Sequence, residues 1–240
     1  MSFRPRLDIL PPAQRELWPQ LKPLVKLGLV LYGGTAIALR IGHRHSVDFD
    51  FFTEKPLDKA AIMTSLPCLA AAKVLQDAPN AYTALITMPQ TSDRPVQVSF
   101  FGTIGFGRFG KAQRTEDGVV CAASLDDLMG TKLKVILQRA EAKDYQDIAA
   151  MLRAGVALDR GLGIARQMFQ PNFQPTQCLK ALNYFNDGDL GTLAKADREI
   201  LISTAHAVGD IPEAKQLAAS LAPRSPSRVP PSRQQGDLGR

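Results

Sequence analysis

Leu29-Val30-Leu31-Tyr32-Gly33-Gly34-Thr35-Ala36-Ile37-Ala38-Leu39-Arg40, with Val47-Asp48-Phe49-Asp50-Phe51-Phe52 shortly after it, decides how this chain is read. Leu29 to Tyr32 is a short apolar run that reads as a strand. Gly33-Gly34 makes a tight turn, and Thr35 to Arg40 reads as the start of a helix. Residues 47–52 alternate apolar and acidic side chains with period two, so they form a strand with both aspartates on one face. A strand, a Gly-Gly-Thr turn and a helix N-terminus together make an anion site. Glycine lets the backbone approach a phosphate, and the free N–H groups of the first helical turn point at it. The Thr35 hydroxyl can donate as well. Asp48 and Asp50, about 7 Å apart by the strand rise, can converge on a divalent cation that clamps a triphosphate. Aspartate is a poor strand former, so two on one strand call for a chemical reason. Phe49, Phe51 and Phe52 anchor that strand in a core.

Working outward, residues 1–9 read as an irregular lead-in. A helix follows from Pro11, with Gly28 as its C-cap. Residues 56–66 read as helical, and 72–76, 82–88 and 95–101 as strands. The Gly-rich, charged stretch 102–118 reads as a loop or hairpin. Ser124 is an N-cap followed by the first-turn acids Asp126 and Asp127, opening a helix to about Arg139. Further helices are predicted over 142–153, 159–168, 175–185 and 191–208. The resulting expectation is an α+β fold: a mixed sheet with flanking helices over 1–120, then a helical region over 121–221 that completes a cleft. Residues 222–240, rich in Pro, Ser, Arg and Gln, are expected to be a disordered basic tail.

Bulk properties narrow the function. The 240 residues are 45% hydrophobic and 22% charged, an ordinary globular balance. No apolar run approaches the roughly 18 residues of a membrane span. Nothing at the N-terminus reads as a secretion signal. Cys68, Cys121 and Cys178 are odd in number and far apart, which supports neither a disulfide framework nor a Cys-based zinc site. A cytoplasmic protein with reduced thiols is the expectation. Half of the net charge of +6 lies in residues 222–240, four arginines against one aspartate, leaving the rest only mildly basic.

The run Gly33 to Leu39 and then Gly42-His43-Arg44-His45-Ser46-Val47-Asp48-Phe49-Asp50-Phe51-Phe52 resembles the signature of the AbiEii/AbiGii-type toxin nucleotidyltransferases of the DNA polymerase β superfamily. A second stretch, Leu128-Met129-Gly130-Thr131-Lys132-Leu133 with Arg139 and Lys143-Asp144-Tyr145-Gln146-Asp147-Ile148, resembles the downstream helix pair of that family. The resemblance implies a polymerase β-type core and transfer of a nucleoside monophosphate from an NTP to an RNA, such as a tRNA, or to a protein acceptor. It implies Mg²⁺ or Mn²⁺ on Asp48 and Asp50, and phosphates on Gly33, Gly34 and Thr35 flanked by Arg44 and Ser46. It implies Lys132 on the triphosphate or substrate, with Lys143, Asp144 and Asp147 as the helical wall. It also implies a cognate antitoxin protein.

One departure from the superfamily pattern stands out. A third carboxylate usually sits on the neighbouring strand, yet the matching strand here, 96–100, offers Gln97 and Ser99. Neither is a useful general base at neutral pH. Asp144 is the first candidate to supply that base, with Asp147 orienting Lys143 or Lys132. The alternative is a catalytically degenerate protein that binds nucleotide or RNA as a regulatory module. His43 and His45, lacking a third ligand, read as phosphate-contacting or solvated rather than metal-bound. Lys132, Lys134, Arg139 and Lys143 read either as a solvated helix face or as a phosphate-facing stripe. Tyr82, Phe101, Phe106 and Phe109 are assigned to packing, as is Trp18.

Overall fold

Phe49 and Phe51 are fully enclosed, whereas Asp48, Asp50 and Phe52, on the opposite face of the same strand, are half-buried. That alternation orients the whole molecule, because one face of the strand belongs to the core and the other to a cleft. The computed structural model describes residues 2–90 and 94–223. Its elements run β1 (Ser2–Phe3), α1 (Pro12–Leu17), β2 (Val30–Tyr32), α2 (Gly33–Ile41), β3 (Asp48–Phe52), α3 (Lys59–Ser65), β4 (Lys73–Ala78), β5 (Ala81–Ile86), β6 (Val96–Phe101), β7 (Gln113–Thr115) and β8 (Cys121–Ala122). Five helices follow: α4 (Leu125–Val135), α5 (Ala142–Arg153), α6 (Leu158–Met168), α7 (Pro175–Ala181) and α8 (Lys195–Ala207).

Among the described residues the strands make one mixed sheet in the order β1-β7-β8-β2-β3-β6-β5-β4. β3 pairs antiparallel with β2 and parallel with β6, which sets Asp48 beside Gln97, Asp50 beside Ser99 and Phe52 beside Phe101. The architecture is therefore the α+β mixed sheet with flanking helices expected from the sequence. Trp18 packs against Phe49, and Phe100 against Phe51 and Tyr82, filling the core side of the sheet. α2 packs against β3, α4 and α5, so the helices after residue 124 close over the Gly-Gly turn. No helix among the described residues is long and apolar enough to cross a membrane.

Several local expectations change. The N-terminal helix is α only to Leu17; Trp18–Leu27 is a 3-10 helix, since Pro19 and Pro23 remove donors from the α ladder. Gly28 does end it, at φ 76°. Residues 2–3 are not an irregular lead-in: they pair with β7, which closes the expected loop or hairpin stretch by pairing antiparallel with β8 just beyond it. The sheet thus extends past residue 120 to β8. After Ala207 the chain is no longer helical. It runs back as a strap in which Leu217 N–H donates to Arg108 C=O at 2.8 Å and Leu221 N–H donates to a Glu54 carboxylate at 3.1 Å. Of the expected disordered tail, residues 224–240 lie outside the described residues.

Candidate active site

The cleft is about 430 Å³ and lies between the β3–β6 face and the helices α2, α4 and α5. The size suits a small-molecule site. Asp48, Asp50 and Phe52 line the floor with Gln97 and Phe101 from β6, and Lys132 and Arg139 line the opposite wall.

The two glycines have a structural reason beyond a turn. Gly33 has φ 72°, and a Cβ added there would lie 2.6 Å from Asp50 Oδ2. A Cβ on Gly34 would collide with the Arg44 guanidinium and lie 3.2 Å from Asp147 Oδ2. The backbone at the start of α2 is therefore bare because carboxylates and a cation are packed against it. Thr35 and Ser46 border the cleft, but their hydroxyls serve each other. Their oxygens are 2.7 Å apart, and Thr35 also donates to the Asp48 carbonyl. The Thr35 hydroxyl, expected as a phosphate donor, is thus already engaged within the protein, and both side chains are buried and pin the start of β3 to α2.

Asp147 joins the two halves of the chain. It is fully buried and accepts from Arg44 through Nε at 2.7 Å and Nη2 at 2.9 Å. The His43 Nε2 atom lies 2.7 Å from it, and the Lys132 ammonium is also 2.7 Å away. Asp144, equally buried, holds the same ammonium at 2.5 Å and the Arg139 Nε at 2.8 Å. Burial alone would raise the pKa of both carboxyls. Arg139 and Lys132 outweigh it at Asp144, and His43, Arg44 and Lys132 outweigh it at Asp147, so both end below the usual carboxylate range. Neither lines the cleft. Asp144 is therefore not placed as a general base: it is enclosed, ion-paired twice and weakly basic. Asp147 does orient Lys132, as expected, but not Lys143, which pairs with Glu141 at 2.8 Å and stands at the rim.

Asp48 and Asp50 face the opposite situation. No Lys, Arg or His lies within ion-pair distance of either among the described residues. Burial raises both carboxyls, and at Asp50 the neighbouring charge of Asp48 adds to it. Two half-buried, mutually repelling carboxylates open to a cleft are a donor set a hard divalent cation fits. No third His, Cys, Asp or Glu joins them among the described residues, so water and phosphate oxygens would complete the shell.

Of the eleven residues singled out from the sequence, nine line the cleft: Gly33, Gly34, Thr35, Arg44, Ser46, Asp48, Asp50, Lys132 and Lys143. Asp144 and Asp147 stand behind it. His43 is engaged by Asp147 rather than by solvent, whereas His45 is exposed, as the solvated reading expected, with its Nδ1 3.0 Å from the Ile9 carbonyl oxygen. Lys132 is buried on the cleft wall, whereas Arg139 lines the same cleft with its side chain nearly half exposed. Asp127 is more than a first-turn acid. It is fully buried, and its carboxylate accepts from Phe109 N–H at 2.7 Å and from the Ser124 hydroxyl at 2.7 Å, tying the 106–110 loop to α4. Phe101 and Phe52, both assigned to packing, line the cleft. Period-two counting from Asp50 could have found Phe52.

A mixed sheet carrying paired aspartates opposite a buried cation cluster, with a glycine turn between them, defines a nucleotidyltransferase-type core. Residues 22–199 match the family described as nucleotidyl transferase AbiEii toxin of type IV toxin–antitoxin systems, and the chain belongs to that family. An uncharacterized protein of Aquifex aeolicus (strain VF5) is 29% identical over 181 residues, covering 72% of this chain and 84% of that protein. Among solved structures, MenT4, a nucleotidyltransferase toxin of Mycobacterium tuberculosis H37Rv, superposes with a TM-score of 0.54 at 14% identity, covering 80% of each chain. That likeness is one of fold.

Proposed function

We propose that this member of the family transfers a nucleoside monophosphate from an NTP to an RNA acceptor, with Mg²⁺ or Mn²⁺ held by Asp48 and Asp50. The observation that carries the reading is the charge arrangement: two carboxylates without a cation partner among the described residues face a cleft whose far wall presents Lys132 and Arg139. The divalent ion would neutralise phosphate charge and orient the triphosphate. The amides at the start of α2 would meet phosphate oxygens. Lys132, locked between Asp144 and Asp147, offers its remaining donor to the triphosphate, and Arg44 is held rigid beside it.

The acceptor hydroxyl oxygen forms a bond to the α-phosphorus as the bond to the bridging oxygen of the β-phosphate breaks. Pyrophosphate leaves, and the hydroxyl proton passes to solvent. With no acid other than Asp48 and Asp50 lining the cleft among the described residues, catalysis rests on positioning and charge neutralisation, the main contributions in phosphoryl transfer. Arg139 and Lys143 at the rim, each nearly half exposed, supply positive charge where an RNA backbone would approach.

A second reading is favoured by one observation: Ser99 stands beside Asp50, buried, where an acid would assist the attack. On that reading the chain binds nucleotide or RNA without turnover. Incubation with each α-labelled NTP, Mg²⁺ or Mn²⁺ and total RNA separates the two. Label in RNA, lost in Asp48→Ala and Asp50→Ala, is the expected result. Label in protein would redirect the acceptor, nucleotide or RNA binding without transfer supports the second reading, and binding of neither nucleotide nor RNA overturns both. As a member of a toxin–antitoxin family, the chain is also expected to have a cognate antitoxin.

A further inference from the structure

The floor of the cleft changes character along its length. On the open face of β3 the sequence runs Asp48, Asp50, Phe52, and on the paired face of β6 it runs Gln97, Ser99, Phe101. The acidic end thus passes, in one same-face step of about 7 Å, to a pair of phenyl rings on adjacent strands. These rings are half-buried and line the cleft. They are also held in place. Phe52 stacks on Tyr32 at 4.8 Å and 13°, meets Phe101 edge-on at 5.3 Å, and has Phe106 at 6.5 Å. Phe106 is anchored in turn against Phe169 at 5.7 Å. A rigid aromatic wall bordering a polar cleft is costly to leave in water, and charged phosphates gain nothing from it.

Given the nucleotide reading above, on which this rests, we infer that Phe52 and Phe101 form the wall against which the base of the bound NTP stacks. The step from Asp50 to Phe52 is a span that a ribose bridges, so a triphosphate at the carboxylates delivers its base to the rings. Both ends of the substrate are then read from one strand, phosphate by the acids and base by the aromatic two residues on. Stacking on a phenyl ring tolerates every base. The wall therefore contributes affinity for nucleosides in general, and choice among them falls to other groups.

Isothermal titration of the full chain with Mg²⁺ and either a non-hydrolysable NTP analogue or inorganic tripolyphosphate tests this. The expected result is that the analogue binds on the order of tenfold more tightly than tripolyphosphate. Phe52→Leu and Phe101→Leu should each remove most of that advantage while tripolyphosphate binds as before. Unchanged tripolyphosphate affinity in the variants also shows that they are folded. If wild-type protein binds both ligands equally, the aromatic wall plays no part, although the phosphate site stands. If the variants keep the analogue but lose RNA, the wall serves the acceptor and the inference fails. Binding of neither ligand by the wild type overturns the nucleotide reading itself.

Discussion

The Asp50 carboxylate occupies the volume that a side chain on Gly33 would need: its Oδ2 lies 2.6 Å from the position of that missing Cβ. The glycine turn and the acidic strand are thus a single packed unit, in which the first residue of α2 leaves space for the second aspartate of β3. Gly33 also has φ 72°, a conformation L side chains rarely adopt. Gly33→Ala therefore meets a clash and an unfavourable backbone at once. We expect it to cost about 1–3 kcal/mol of stability and to abolish the rise in melting temperature produced by Mg²⁺ and nucleotide. A variant that melts like wild type and keeps the ligand-induced rise would show that Asp50 moves aside freely.

Asp50→Asn should act in opposite directions with and without metal. Burial and then the Asp48 charge hold the Asp50 carboxyl above its ordinary range. A carboxyl raised in the folded state costs stability when ionised, and that cost disappears as pH falls below the unfolded value near 3.9. Without divalent cation, Asp50→Asn is expected to melt higher than wild type at pH 7, each kcal/mol being worth about 2–4 °C in a chain of this size. The gain should shrink toward pH 4. With Mg²⁺ and nucleotide, wild type should gain stability and the variant should not. Melting curves across pH, with and without Mg²⁺, read both effects.

Asp147 carries the reverse sign. Its carboxyl lies well below the usual range because burial is outweighed by His43, Arg44 and Lys132. Its stabilisation is complete above the unfolded pKa near 3.9 and is lost as pH falls below it. Asp147→Asn leaves buried cations without their partner and should cost about 3–5 kcal/mol at pH 7. The same variant should lose less stability than wild type on going from pH 5 to pH 3. Urea midpoints at the two pH values decide the matter, and equal midpoints for both proteins at pH 7 would contradict the ion cluster.

The strap beyond α8 should matter more than its composition suggests. Leu221 is fully buried, and Arg108 Nε donates to the Ser220 carbonyl at 3.0 Å. Ending the chain after Ala207 removes these contacts and should lower stability by at least about 2 kcal/mol for the leucine alone. Ending it after Pro223 retains them and should leave the melting temperature unchanged. Comparing the two truncations by thermal melting isolates the strap.

Much of the site was legible in the sequence because local rules act over a few residues. Period-two alternation placed Asp48 and Asp50 on one face, and the 142–153 helix has the limits its pattern predicted. Ser124 caps α4 by accepting from Asp127 N–H at 3.1 Å, as its position before two acids implied. The β6 strand beside β3, with Gln97 and Ser99 next to the aspartates, is not a matter of local rules: it was expected only from what the family resemblance implied.

Partners were not legible. Asp144 has the sequence setting of an acid in a motif, and nothing local says that it is sealed between Lys132 and Arg139. Asp147 meets Arg44 across more than a hundred residues, Asp127 reaches back to the 106–110 loop, and β1 finds β7 at the far edge of the sheet. Phe52 and Phe101 are apolar in either setting, so only the packed fold tells a core ring from one lining a cleft. Periodicity reports which way a side chain points along its own element. What it points at depends on how distant elements pack, and here that packing decides which carboxylates are tied to cations and which two remain open to the cleft.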